Sequence, residues 1–169
     1  MALTLRPARA TDRPRLRALL HRAYGHYVPR IGFRPPPMDA DCAAAIADGR
    51  VDVAEDNGVV VGLIVVQPNS DHLLIENVAV EPSSQLRGVG QVFLRRAEHR
   101  AADLGLPEVR LFTHVAMTEN RAFYARRGYR ETGRRTDQGV ERVFFAKSVA
   151  SHAATSTSGP ERRDGERSH

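Results

Sequence analysis

The residues best suited to chemistry are Gln85-Leu86-Arg87-Gly88-Val89-Gly90, set between an apolar strand and an amphipathic helix. The strand pattern runs from Leu73 to Val80 and stops at Pro82. The helical pattern starts at once, with Val89, Val92, Phe93, Ala97, Ala101 and Leu104 at helical spacing. Glycines at such a junction let backbone approach a ligand. The first N–H groups of the helix have no internal partner and sit at the positive end of its dipole. That combination suits a phosphate or pyrophosphate. The spacing Gln-x-x-Gly-x-Gly is neither the dinucleotide fingerprint nor a P-loop, because no Lys or Ser/Thr follows Gly90. A second chemical feature lies in the preceding strand. Glu76 is the one acid in an otherwise largely apolar run, where an unpaired carboxylate is costly.

Other constellations are absent from the pattern. His21 and His26 are five apart, a poor fit to one helix face, and His72, His99 and His114 show no ligand spacing. No metal site is expected, and no Ser-His-Asp arrangement stands out. Cys42 is the single cysteine, which excludes an internal disulfide framework or a Cys-cluster metal site.

These features need a frame, and the 169 residues are enough for one domain with a real core. Leu3 to Arg6 alternates as an edge strand ended by Pro7. Thr11 or Asp12 caps a first helix to about Tyr27, with Leu16, Leu19, Leu20, Ala23 and Tyr27 as its apolar face. Val28 to Met38 carries Pro29 and Pro35-Pro36-Pro37, and is expected to be a stiff loop without helix. Asp39-Ala40-Asp41 caps a short Ala-rich helix ending at Gly49. Val51–Glu55 and Val59–Gln67 flank Asn57-Gly58, a strong hairpin turn, and Pro68-Asn69-Ser70 turns into the Leu73–Val80 strand. A helix from Gly88 to Leu104 crosses over to a strand at Val109–Thr113, which allows those two strands to be parallel. A further helix opens near Met117 and ends before Gly128. Tyr129–Thr132 and Arg142–Lys147 are the last strands, around a turn at Gly139. Residues 1–150 form the expected domain. From Ser151 the chain is rich in Ser, Thr, Gly and self-cancelling charge, and a disordered polar tail is expected over 151–169.

The stretch from Glu76 to Gly90 resembles the GNAT superfamily of acyl-CoA-dependent N-acyltransferases. The residues that carry the likeness are Glu76-Asn77-Val78-Ala79-Val80, Pro82 and Gln85 to Gly90. The element order supports it from Leu3 to about Val149. The resemblance implies an α/β fold of mixed α+β type. Its order is strand, two helices, three strands, helix, strand, helix, two strands, and its sheet splays between the fourth and fifth strands. It implies that Gln85, Leu86, Arg87, Gly88, Val89 and Gly90 cradle the CoA pyrophosphate, and that Val78, Ala79 and Val80 pair with the pantetheine arm. The region between the first two helices would form much of the acceptor site. Tyr24, Tyr27, Arg30, Phe33 and Met38 are therefore candidates for substrate contact. A surface loop pinned by its own aromatics is the other reading of that segment.

Acyl transfer from a thioester to an amine has three requirements. The amine loses a proton, the carbonyl oxygen is stabilised as negative charge grows, and the thiolate is protonated or otherwise stabilised. Tyr124 fits the third. Tyr124 to Tyr129 matches the family's run of Tyr, three residues, Gly and an aromatic. The phenol, with an ordinary pKa of about 10, is protonated at neutral pH. Glu76 is the candidate base, acting directly or through water, if partial burial raises its pKa. The alternative is a Glu at the sheet rim paired with Arg. Backbone N–H groups near Asn77–Val80, freed by a bulge or splay, are the natural donors to the oxygen. The family commonly has Asn where Met117 stands. Asn120, one turn before Tyr124, either replaces it on the pantetheine or faces solvent.

The reading is therefore an acetyltransferase using acetyl-CoA as donor and an amine, small molecule or peptide, as acceptor. Transfer takes place directly within a ternary complex, with no metal. A non-catalytic acyl-CoA-binding sensor is the alternative. The net charge of +5 is carried almost wholly by Arg, with Lys147 the only lysine, and it suits a polyanion such as CoA. No basic stripe interleaved with aromatics points to nucleic acid. No run approaches a membrane span, and no signal peptide is visible, so a cytoplasmic location is the default expectation. Relatives of this kind are often homodimers, which leaves a homodimer open.

Overall fold

The computed structural model describes residues 2–150, so the polar segment 151–169 lies outside the described residues. Seven strands form one sheet: β1 (Leu3–Pro7), β2 (Val51–Asp56), β3 (Val59–Pro68), β4 (Leu73–Val80), β5 (Glu108–His114), β6 (Arg130–Asp137) and β7 (Val140–Ser148). Their order across the sheet is β1-β2-β3-β4-β5-β7-β6. All neighbours are antiparallel except β4 and β5, which are parallel. Among the described residues five helices accompany them: α1 (Arg13–Tyr24), α2 (Val28–Ile31), α3 (Ala43–Ala47), α4 (Val89–Asp103) and α5 (Thr118–Arg126).

Helices cover both faces of the central strands. Leu16, Leu19, Leu20 and Ala23 form the buried stripe of α1 and pack with Val53, Leu63, Val65 and Ala79. Phe93, Leu94, Ala97 and Ala101 of α4 pack on the other face with Ile64, Leu73, Val109 and Leu111. With both faces covered, β3 reads as a nearly unbroken apolar run, and so it does from Val59 to Val66.

The sheet opens between β4 and β5. Their pairing covers only Leu73↔Val109, Leu74↔Arg110 and Ile75↔Leu111. Beyond that point β4 stays with β3 while β5 stays with β7. The divergence has a local cause. On the β3 side, Val65 faces Asn77 and Val66 faces Ile75, so Glu76 is an extra residue without a partner. Such a bulge bends and twists its strand. It falls at the first residue that β5 no longer reaches.

The expected order is observed with one addition. Val28–Met38 was expected to exclude helix, yet Val28–Ile31 is a helical turn. Pro29 falls in its first turn, where no backbone donor is needed. The first helix ends at Tyr24 rather than Tyr27, and a tighter 3₁₀ turn, Gly25–Tyr27, carries the chain on. Pro36–Asp39 is another such turn. The strand expected to end at Thr132 runs to Asp137, and every residue of it is exposed. Its sequence after Tyr129 has no apolar residue to reveal a strand. The Gln138-Gly139 turn that follows has both φ angles positive, as does Asn57-Gly58, the mirror-type turn that suits twisted hairpins.

Candidate active site

A cavity of about 510 Å³ occupies the opening between β4 and β5. Of the residues singled out in the sequence, Tyr24, Phe33, Glu76, Val78, Asn120 and Tyr124 line it. Tyr27, Arg30, Met38, Ala79, Val80 and the Gln85–Gly90 run do not.

Tyr124 sits in the last turns of α5 and is buried against Phe145, Tyr129 and Phe123, with ring centroids 5.8, 6.1 and 5.4 Å away. Among the described residues nothing hydrogen-bonds to its hydroxyl. Burial, and secondarily Tyr27, pushes the phenol up to about 12. It is therefore a proton-bearing donor throughout the neutral range.

Tyr24 is committed to the scaffold. Its hydroxyl lies 2.7 Å from Asn77 Oδ1 and 3.1 Å from the Val78 carbonyl. Asn77 Nδ2 lies 3.5 Å from the Pro37 carbonyl. Burial raises the Tyr24 phenol, with smaller contributions from Tyr124 and Tyr27. The other acceptor-site candidates divide. Phe33 meets His114 edge-on at 5.9 Å on the cavity wall. Tyr27 and Met38 are buried, and the Met38 methyl packs over Gly25. Arg30 lies over the Tyr27 ring and bonds Glu119 at 2.7 Å, tying α2 to the start of α5. These three brace the wall from behind.

Of the two readings of Glu76, partly buried base or rim residue paired with Arg, its placement matches the second. As the bulged residue it stands exposed at the rim, 3.5 Å from Arg50, whose Nη1 also donates to the Val66 carbonyl at 3.2 Å. Asn120 lines the cavity rather than facing solvent. Its amide nitrogen makes only long contacts, 3.5 Å to Thr113 Oγ1 and 3.6 Å to Met117 Sδ. Met117 is buried in the position where the resemblance expects Asn.

The glycine-rich run follows β4. Gln85 Nε2 donates to the Val80 carbonyl at 3.2 Å and closes the strand end. Leu86 and Gly88 both have left-handed backbone, φ 69° and 84°. A side chain at Gly88 would meet no atom within 4 Å, whereas at Gly90 a Cβ would come within 3.0 Å of the Phe123 ring. Gly88 thus supplies a backbone turn beside open space, and Gly90 allows α4 and α5 to approach. Val92 N–H makes the first bond of α4, to Gly88. The N–H groups of Val89, Gly90 and Gln91 precede it and have no helical acceptor. Arg87 is exposed and 3.7 Å from Asp56. Free N–H groups beside open space give this end of the strand chemistry that suits an anion.

Four residues of the site escaped sequence reasoning, Arg50 beside Glu76 among them. The Asn77 side chain carried a signal, a lone amide among apolar residues of a strand. Arg142 and His114 carried none, since only the sheet brings them to the cavity wall. His114 Nδ1 accepts the Ala116 N–H at 3.0 Å, which leaves the proton of the neutral ring on Nε2.

The comparisons with known proteins agree with this frame. The chain superposes on PaiA N-acetyltransferase from Thermoplasma acidophilum, solved with coenzyme A, with a TM-score of 0.75 and 15% identity over 88% of this chain and 99% of that one. For the ribosomal-protein-S18-alanine N-acetyltransferase from Escherichia coli the values are 0.70, 18%, 91% and 98%. For Arabidopsis thaliana Naa50, solved with the bisubstrate analogue CoA-Ac-MVNAL, they are 0.68, 18%, 88% and 99%. At such identities the likeness concerns the fold. A search of curated protein sequences finds no match. The family model of the acetyltransferase (GNAT) family matches residues 14–129, more than half of the chain. The chain belongs to the acetyltransferase (GNAT) family.

Proposed function

We propose that the protein transfers an acetyl group from acetyl-CoA directly to an amine within a ternary complex. The observation that carries this reading is the unpartnered Tyr124 hydroxyl in a cavity whose strand, β4, ends in the glycine-rich cradle. The residues present fit the donor. The space beside Gly88 is open, α4 presents free N–H groups, and β4 beyond Ile75 has backbone edge that β5 no longer covers. The Thermoplasma and Arabidopsis proteins named above were solved with CoA or a CoA analogue, which supports the same ligand class here.

Acetyl-CoA, when bound, supplies the thioester and a thiolate leaving group. Residues Val89 to Gln91 hold anionic oxygens through their N–H groups. The uncovered amides of β4 donate to an oxygen as it gains negative charge. Tyr124 donates a hydrogen bond to developing thiolate charge. Full proton transfer from a phenol near 12 to a thiolate whose thiol has an ordinary pKa of about 8.5 is uphill, so its role is stabilisation more than outright protonation. Glu76 stands exposed at the rim, where its carboxylate attracts an incoming ammonium and orders the water to which the amine proton passes. The test is release of free CoA thiol in the presence of an amine panel. Thiol release that depends on amine supports transfer. Tight acetyl-CoA binding without release identifies a sensor instead.

A further inference from the structure

We propose that the acceptor is a primary amine carried on an apolar body with no second charged group. This inference rests on the acetyl-transfer reading of the same cavity. Four ionic side chains line that cavity: Asp41, Arg50, Glu76 and Arg142. Each is already paired. Asp41 bonds Arg13 at 3.2 Å and the Ala43 N–H at 3.0 Å. Glu76 and Arg50 face each other, and Arg50 also reaches the Val66 carbonyl. Arg142 bonds Asp137 at 3.2 Å, and its guanidinium lies 4.9 Å over the Phe112 ring. His114 spends its Nδ1 lone pair on Ala116 N–H.

The consequence is a matter of charge accounting. A polycation needs several carboxylates that are free of their own cations, and this wall offers none among the described residues. An acidic acceptor needs a free cation, and that is missing too. Burying an unpaired charge against such a wall is costly. The remaining surface is apolar, with Ile31, Phe33, the Pro35–Pro37 run, Leu74 and Phe112. A single ammonium still has an entry partner in Glu76, whose contact with Arg50 is long and exposed; Arg50 keeps Asp48 at 3.7 Å and the Val66 carbonyl when Glu76 turns away, so no cation is freed for an acidic acceptor. The volume falls in the range of small-molecule sites.

The test compares kcat/KM by thiol release for phenethylamine, Phe-Ala-amide, spermidine, kanamycin and glutamate. Phenethylamine or Phe-Ala-amide should exceed the last three by at least about tenfold, and the ratio of the first two distinguishes a free amine from a chain N-terminus. Equal or better use of spermidine, kanamycin or glutamate overturns the inference. Arg50→Gln provides the second arm. It frees Glu76, so spermidine should gain several-fold relative to phenethylamine; an unchanged ratio overturns the charge accounting. If no amine releases thiol, the acetyl-transfer reading fails by itself. Calorimetry on the CoA-loaded protein then decides this inference: tighter phenethylamine than spermidine or glutamate supports it, and the reverse order overturns it.

Discussion

The Tyr24 hydroxyl donates to Asn77 Oδ1 at 2.7 Å and so fastens the end of α1 to β4 just past its bulge. Asn77 in turn lies against the Pro37 carbonyl, and one amide therefore links helix, strand and proline-rich wall. Tyr24→Phe removes the donor and leaves a buried amide oxygen without its partner. The expected cost is about 1–3 kcal/mol of stability, with a raised acceptor KM because the wall loosens. Denaturant unfolding and steady-state kinetics check both, and unchanged values for both would show that the bond does not shape the site.

At Gly88 conformation and charge can be separated. Gly88→Asn keeps a residue that tolerates the left-handed backbone. Gly88→Glu adds strain and also places a carboxylate in the open space of the cradle. Acetyl-CoA affinity should fall by at least about 2 kcal/mol in Gly88→Glu and much less in Gly88→Asn. Equal affinities in calorimetry would remove the pyrophosphate from this site.

Glu76 tests the proton path. The carboxylate is exposed and its contact with Arg50 is long, so Glu76→Gln should change stability by no more than about 1 kcal/mol. If Glu76 relays the amine proton, the variant loses rate and the acidic limb of its pH–rate profile flattens. A profile of unchanged shape and height would assign amine deprotonation to solvent.

Much of this site was legible in the sequence because its parts are local. The Gln85–Gly90 run, the strand before it and the Tyr124–Tyr129 pattern are each contiguous, and each lies where expected. What escaped depends on register and on long-range pairing. Nothing near Glu76 in the chain announces that Val65 and Val66 skip it, and that skip makes it exposed. Arg50 reaches it from the start of β2. The helical turn at Val28 is hidden because a proline that reads as a breaker in the sequence occupies the first turn, where it needs no backbone donor. The extension of β6 from Thr132 to Asp137 was hidden because an edge strand exposed on both faces has no apolar alternation to read.

Burial of tyrosines sets the alkaline behaviour. The Tyr24, Tyr124 and Tyr129 phenols are all raised, chiefly by burial. Below about pH 10 the folded and unfolded chains both keep these protons, and stability is unaffected. Above it the unfolded chain ionises while the folded one does not, so stability falls as pH rises until the folded-state pKa is reached, about 12 for Tyr124. Tyr124 alone should remove on the order of 1 kcal/mol by pH 11. Unfolding midpoints between pH 8 and 11 should be flat and then drop steeply, and the drop should shrink in Tyr124→Phe. A midpoint that is equally steep in that variant would mean that the phenol is not shielded.

Tyr124→Phe also carries the main catalytic prediction. The ring packs against Phe145 and Tyr129 and is retained, so the core is preserved. The hydroxyl has no partner among the described residues, and its removal strands no protein group. A purely structural tyrosine would therefore show near-normal turnover. If the hydroxyl stabilises thiolate charge, the interaction exists mainly in the transition state, and turnover should fall by roughly 10²-fold with KM much less affected. The pH profile adds a second criterion. With the phenol near 12, the wild-type rate should not decline on the alkaline side through loss of this proton until above about pH 11, provided the protein remains folded. Full turnover of Tyr124→Phe on a saturating acceptor would take Tyr124 out of the mechanism. The β4 amides and Glu76 would then be left to account for the rate.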